Sequence, residues 1–315
     1  MRFVSFSSDA QGALVRPGVL VGAGDQVLDL EAASGGAIGS INQLVELGDA
    51  GLEQVRSLVL SPDERFVYSL REVSLHAPLR PLQLRSFSVY AEHVSSSVKA
   101  AVKHTGRPLM KILAKLIRIP GKRFFQVPLY YKGTVTNFAG PGAPIMRPPY
   151  GEQLDYELEL AVIIGRKGKS IAEKDALQYV FGYTIYNDVS ARKQLTFEVG
   201  LGGAGPAKGK DFDGSNIIGP WIVTPDEIAN PMKLAGRVRI NGELKGEAST
   251  SEMSHSIQKM IAYISNGETL YPGEMFGTGA MPRCCGIERW EFLNDGDVVE
   301  LEFDGIGTLR NIVQG

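Results

Sequence analysis

The stretch Asp155-Tyr156-Glu157-Leu158-Glu159-Leu160-Ala161-Val162-Ile163-Ile164-Gly165 reads as a buried β-strand that carries two carboxylates on one face. Residues two apart on a strand point the same way, so Glu157 and Glu159 project together while Leu158 and Leu160 face the other side. The apolar run that follows offers little water to relieve two ionised carboxylates held side by side. The pair therefore calls for a cation between its members. A solvated edge strand would show the same alternation, but a second acidic position downstream, in Tyr186-Asn187-Asp188-Val189-Ser190-Ala191-Arg192, weighs against it. Glu157, Glu159 and Asp188, with no His or Cys near them in the sequence, make an all-oxygen donor set that suits Mg²⁺, Mn²⁺ or Ca²⁺ rather than zinc.

The chain of 315 residues is 43% hydrophobic and 22% charged, ordinary values for a water-soluble globular protein with a sizeable core. A net charge of −2 and the absence of nucleic-acid-binding signatures exclude a nucleic-acid partner from the expectations. No apolar run approaches membrane-spanning length, and Met1-Arg-Phe-Val-Ser-Phe6 lacks a signal peptide's apolar region, so a cytoplasmic protein without membrane contact is expected. The two cysteines, Cys284 and Cys285, are adjacent and cannot staple distant segments; they read as small reduced residues in a tight loop near Glu288.

Residues 1–78 read as a small N-terminal α/β unit, with strands at Arg2–Phe6, Val19–Val21 and Val27–Leu30 and helical segments at Ile41–Leu47 and Gly51–Leu58. Two closely spaced prolines, Pro78 and Pro81, mark the junction, and residues 79–315 form the second, strand-rich unit. Helices are expected there at Glu173–Val180 and Ser251–Ser265, and Asn241-Gly242 signals a tight hairpin. Regular βαβ alternation is absent, which argues for an α+β, β-rich fold over a doubly wound sheet. Residues 97–123 interleave Lys99, Lys103, Lys111, Lys115, Arg118, Lys122 and Arg123 with apolar side chains, the pattern of a basic amphipathic helix: a solvated face, or a lid that draws in an anionic substrate. Gly200–Lys210 is glycine-rich, yet Ala204 stands where a phosphate loop needs glycine and Asp211 where it needs Ser or Thr, so the nucleotide reading fails.

From about Arg80 to Asn311, a series of motifs resembles the fumarylacetoacetate hydrolase family, in that family's order. It runs through Tyr90-Ala-Glu-His93, Tyr131-Lys-Gly, Gly140-Pro-Gly-Ala-Pro-Ile, the Glu-x-Glu strand, Asp188-Val-Ser-Ala-Arg192, Lys208-Gly-Lys210-Asp-Phe, Tyr271-Pro-Gly-Glu, Thr278-Gly, Cys285-Gly-Ile-Glu288 and Asn294-Asp-Gly-Asp. The resemblance implies a mixed β-sandwich roll of the fumarylacetoacetase C-terminal type, a homodimer, and a divalent cation held by Glu157, Glu159 and Asp188. It further implies His93 as general base on a water, oriented by Glu288; Lys210 as a fixed cation beside the developing enolate; and Tyr131, Thr278 and Gln194 as substrate-binding residues. Arg192 braces the acidic cluster.

The implied activity is metal-dependent hydrolysis of a C–C bond in an acylpyruvate-like or other β-diketo acid, in aromatic or sugar-acid breakdown. Carbon leaves only if its charge can spread onto oxygen, and the metal supplies that path. The same fold and cation would serve a decarboxylase, isomerase or hydratase of 2-oxo acids, and a non-catalytic metal-binding scaffold is the reading from a different class. Two departures from the family bear on the site. An aspartate expected seven residues before the histidine is replaced by Ser86, and an expected glutamine falls at Leu195, with Gln194 one place early.

Overall fold

The structure is a computed structural model, and it describes residues 1–8, 14–105, 119–200 and 207–315. Its centre is the strand Leu158–Ile164, every residue of which is buried. This strand pairs antiparallel with Val180–Asp188 on one side and with Glu274–Gly277 on the other. Beyond them the sheet continues to Asn216–Val223 and Arg2–Ser8 in one direction and to Gln83–Ser88 and Leu129–Gly133 in the other. Twelve strands belong to it among the described residues.

The alternation in the central strand explains why both faces are covered. Leu158, Leu160, Val162 and Ile164 pack with Val238, Leu301, Phe303, Leu309 and Val313 of a second, five-stranded sheet, which makes the sandwich. Ala161 and Ile163, on the other face, join Ile218, Ile222 and Met275 against Ile41, Leu44 and Val45 of the N-terminal helix Ile41–Leu60. Both faces are apolar except at the strand's entry, where Glu157 and Glu159 lie. The fold is α+β and strand-rich, of the mixed sandwich type that the resemblance implies.

The N-terminal strands fall where the hydrophobic pattern puts them, and they extend the central sheet: Arg2 and Phe3 pair with Val223 and Ile222. The two helical segments expected at 41–47 and 51–58 both form within Ile41–Leu60, separated by a kink at Gly48, whose backbone is non-helical. Asn241 and Gly242 both have positive φ, the hairpin geometry that Asn-Gly favours, and they join Ala235–Ile240 to Glu243–Ser249.

Three expected helices differ from what forms. Glu173–Tyr179 is a 3₁₀ helix. The segment from Ser251 splits, because Ser249 and Glu252 close a capping box around one turn, and Ser256 then caps a separate helix, Ile257–Ser265. In the basic segment, the helix Ala91–Thr105 contains Lys99 and Lys103, and Lys122 and Arg123 open a 3₁₀ turn. Residues 106–118, with Lys111, Lys115 and Arg118, lie outside the described residues. No helix among the described residues is long and apolar enough to cross a membrane.

Gly140 packs directly on the backbone of His76 and Ala77, where a Cβ would overlap main-chain atoms that cannot rotate away. Gly140→Ala is expected to lower stability by about 1–3 kcal/mol, read as a shift in the urea unfolding midpoint; an unchanged midpoint would show that this contact is not rigid.

Candidate active site

Neighbouring strands running in opposite directions bring the three carboxylates together. Glu159 lies opposite Tyr186 in the ladder, so Asp188, two residues on, falls beside Glu157. Candidate ligand atoms of Glu157, Glu159 and Asp188 lie within 4.8 Å of one another, and all three side chains are buried. Gly277 on the next strand leaves the room this needs: a Cβ there would run into the Glu159 carboxylate and come within 2.9 Å of the Tyr186 ring.

Each carboxylate has different company. Glu157 forms ion pairs with Arg192 Nη2 at 2.6 Å and Lys210 Nζ at 2.8 Å. Burial works to raise its pKa, but Arg192 and then Lys210 outweigh it and hold the group at about 2. Among the described residues Glu159 has no cationic partner of that kind; Ser86 Oγ sits 3.2 Å from both its oxygens and the Gly279 N–H donates at 3.0 Å. Burial, then the charges of Asp188 and Glu157, push its pKa well above the carboxylate range. Asp188 is also raised by burial, against the pull of Lys210 at 2.7 Å. Tyr131 donates to its Oδ2 at 2.7 Å, while Oδ1, buried, has no hydrogen-bond partner among the described residues.

With Asp155 included, four buried carboxylates face two buried cations, Lys210 and Arg192, an excess of two negative charges if all are ionised. An unused acceptor, an all-oxygen donor set and a deficit of two positive charges together fit a hard divalent cation.

His93, in the first turn of the helix Ala91–Thr105, has Nδ1 2.7 Å from Glu288 Oε1, and the Arg283 N–H fixes the second oxygen of Glu288 at 2.8 Å. Nε2 is thereby left as the nitrogen free to take a proton. His93 and the three carboxylates line one cavity of about 320 Å³, together with Ser86, Tyr131, Arg192 and Lys210. Its remaining wall is largely apolar, with Phe87, Leu129, Leu195, Val199 and Ala280 beside Ser88 and Tyr130.

The sequence-expected residues are thus mostly brought together: Glu157, Glu159, Asp188, His93, Glu288, Lys210 and Tyr131. Gln194 is placed elsewhere, its amide donating to Glu198 Oε1 at 2.9 Å, and Leu195 takes the position on the cavity wall. Thr278 is fully buried one residue past Gly277, with its N–H on the Leu160 carbonyl, and does not line the cavity. Ser86 supplies a hydroxyl to Glu159 where an aspartate was expected to supply charge.

Sequence reasoning gave no role to Asp155. Fully buried, it accepts from Arg192 Nε at 2.7 Å and from the N–H groups of Gly286 at 2.6 Å and Ile287 at 2.9 Å. One carboxylate therefore ties the loop that carries Glu288 to the arginine that pairs with Glu157. Its one signal in the sequence is the spacing, two residues before Glu157, which continues the acidic alternation.

The fumarylacetoacetate (FAA) hydrolase C-terminal family profile matches residues 90–314. The chain belongs to the fumarylacetoacetate hydrolase family. It is 32% identical over 318 residues to oxaloacetate tautomerase fahd2, mitochondrial, of Xenopus laevis, an alignment covering 99% of this chain and 90% of that protein. Among solved structures, a fumarylacetoacetate hydrolase from psychrophilic Exiguobacterium antarcticum superposes with a TM-score of 0.75 at 28% identity, covering 100% of this chain and 99% of the other. Maleylpyruvate hydrolase from Sphingobium sp. SYK-6, in complex with manganese (II) ion and pyruvate, gives 0.72 at 25% identity, covering 99% and 98%.

Two outcomes are expected. Asp155→Asn weakens the hold on Arg192 and on the Glu288 loop at once, so it lowers kcat and also lowers affinity for Mg²⁺ by about 10- to 100-fold, measured by calorimetric titration; a loss confined to one of the two would break the proposed link. Because burial raises the pKa values of Glu159 and Asp188, and a cation competes with protons for them, Mg²⁺ affinity rises with pH. A pH-independent affinity would exclude both as ligands.

Proposed function

We propose that this chain is a divalent-metal-dependent enzyme that moves a proton at the carbon next to the carbonyl of a 2-oxo acid, interconverting its keto and enol forms. The observation that carries the reading is the His93–Glu288 pair, 2.7 Å apart, opening on the same cavity as the three carboxylates. The full-length similarity to a protein named oxaloacetate tautomerase supports keto–enol chemistry, and a relative holding manganese and pyruvate supports a 2-oxo acid as the substrate class.

A divalent cation held by Glu157, Glu159 and Asp188 supplies charge neutralisation at the carbonyl and carboxylate oxygens of the substrate. The chain's own groups do the rest. His93 Nε2 takes the proton from carbon, and Glu288, on Nδ1, fixes the tautomer and stabilises the imidazolium that forms. Lys210 remains charged, because Asp188 and Glu157 outweigh the effect of burial. It lines the cavity as a donor for the oxygen on which negative charge gathers. Tyr131, whose pKa burial and then Asp188 raise well above its usual value, stays protonated and keeps Asp188 in place.

A second reading is C–C hydrolysis of an acylpyruvate-like diketo acid, in which the same imidazole activates water. The apolar wall of Phe87, Leu129, Leu195, Val199 and Ala280 supports it, since such a wall receives an acyl chain better than a second carboxylate.

Purified chain with Mg²⁺ is expected to accelerate exchange of the C3 protons of oxaloacetate for deuterium, followed by NMR. Cleavage of acylpyruvates to pyruvate and a carboxylic acid, assayed in parallel, separates the two readings. His93→Ala should lower the active reaction by about 10²- to 10⁴-fold with Mg²⁺ binding retained; full turnover in that variant would remove His93 as the base.

A further inference from the structure

Against the proposed base lies a second group of metal-ligating side chains, of different chemical character from the oxygen cluster. Cys285 Sγ is 3.5 Å from His93 Nδ1 and 3.5 Å from Glu288 Oε1, and those two atoms are 2.7 Å apart. We propose that His93, Cys285 and Glu288 form a site for a thiophilic divalent cation of the zinc and cadmium class, and that filling it switches off the base. The binding stands on geometry alone; the loss of activity rests on the reading of His93 as the base.

Tetrahedral zinc with bonds of about 2.3 Å to sulfur and about 2.0–2.2 Å to nitrogen and oxygen sets sulfur about 3.5 Å from its neighbours and nitrogen about 3.4 Å from oxygen. The two sulfur distances already match. The third opens by roughly 0.7 Å as one hydrogen bond gives way to two metal bonds.

The frame around the three atoms is fixed before any ion arrives. Glu288 presents Oε1 alone, because the Arg283 N–H holds Oε2 at 2.8 Å. Cys285 pairs with Glu157 through a backbone bridge, and the next two residues are tied to Asp155 through their N–H groups. Of the three ligands, His93 is the one that lines the cavity, and it is 13% exposed, while Cys285 is fully buried.

Charge and protons balance without a further reactant. A thiolate and a carboxylate neutralise the dication, and the thiol proton leaves to solvent. The imidazole, ligated through Nδ1, gives up the proton it shared with Glu288 and takes one from solvent on Nε2, so it stays neutral. That nitrogen then carries a proton and cannot accept another, so occupancy of the site and action of the base exclude each other. Hardness sorts the two sites: carboxylates alone suit Mg²⁺ or Mn²⁺, while a donor set with sulfur and imidazole selects zinc or cadmium.

The test is a Cd²⁺ titration of the whole chain with Mg²⁺ in excess, so that the oxygen cluster is filled, followed by the ultraviolet thiolate-to-cadmium band. The band should saturate at one ion per chain in the native protein and in Cys284→Ser, and be absent in Cys285→Ser. His93→Ala, which leaves the cysteine in place, should weaken Cd²⁺ binding at least about tenfold. That variant keeps the test decisive should Cys285→Ser not fold. No band in the native chain, or a band that survives Cys285→Ser, would overturn the site. With turnover as a second readout, inhibition by Zn²⁺ without the cadmium band means displacement of Mg²⁺ from the oxygen cluster and also overturns it. A band without inhibition keeps the site and removes His93 from the reaction.

Discussion

Buried negative charge is the constraint on which this structure depends. Asp155, Glu157, Glu159 and Asp188 are almost wholly removed from water, with two cations between them. Burial alone would drive Glu157, Glu159 and Asp188 towards neutrality. The chain resists this unevenly: Glu157 takes both cations and stays ionised, while Glu159 is left with a serine hydroxyl and one backbone N–H. A divalent cation is the simplest group that lets Glu159 and Asp188 carry charge in such surroundings.

The sheet makes this arrangement possible. Because the strand Leu158–Ile164 is central and covered on both faces, its entry point is buried, and its antiparallel neighbour delivers Asp188 to the same end. The parallel pairing of Glu274–Gly277 with Gln83–Ser88 puts Gly277 opposite Ser86 in the ladder, so a missing side chain and a short hydroxyl flank Glu159. Asp155 then couples the acidic cluster to the loop of Cys285 and Glu288, so the base and the cluster share one buried anchor.

Much of this was legible in the sequence. Period-2 alternation located the central strand and the shared face of Glu157 and Glu159, and Asn241-Gly242 marked its hairpin because few other residue pairs tolerate that backbone. Resemblance to the family, rather than spacing, paired His93 with Glu288 across 195 positions. What escaped depends on contacts that no local pattern encodes. Asp155 acts by receiving N–H groups from more than 130 residues away. One residue of register decides that Leu195 rather than Gln194 faces the cavity, and helical periodicity alone does not set that rotation. The split of the segment after Ser249 follows from two competing serine caps, where the apolar stripe suggested one helix.

The most direct test is a Mn²⁺ titration followed by electron paramagnetic resonance on the native chain and on Glu159→Gln. The native chain should bind one ion, with Glu159→Gln, which removes a charge without removing bulk, binding it far more weakly. Equal binding by the two proteins, or no bound ion in the native chain, would contradict the view that a divalent cation completes the charge of this buried cluster.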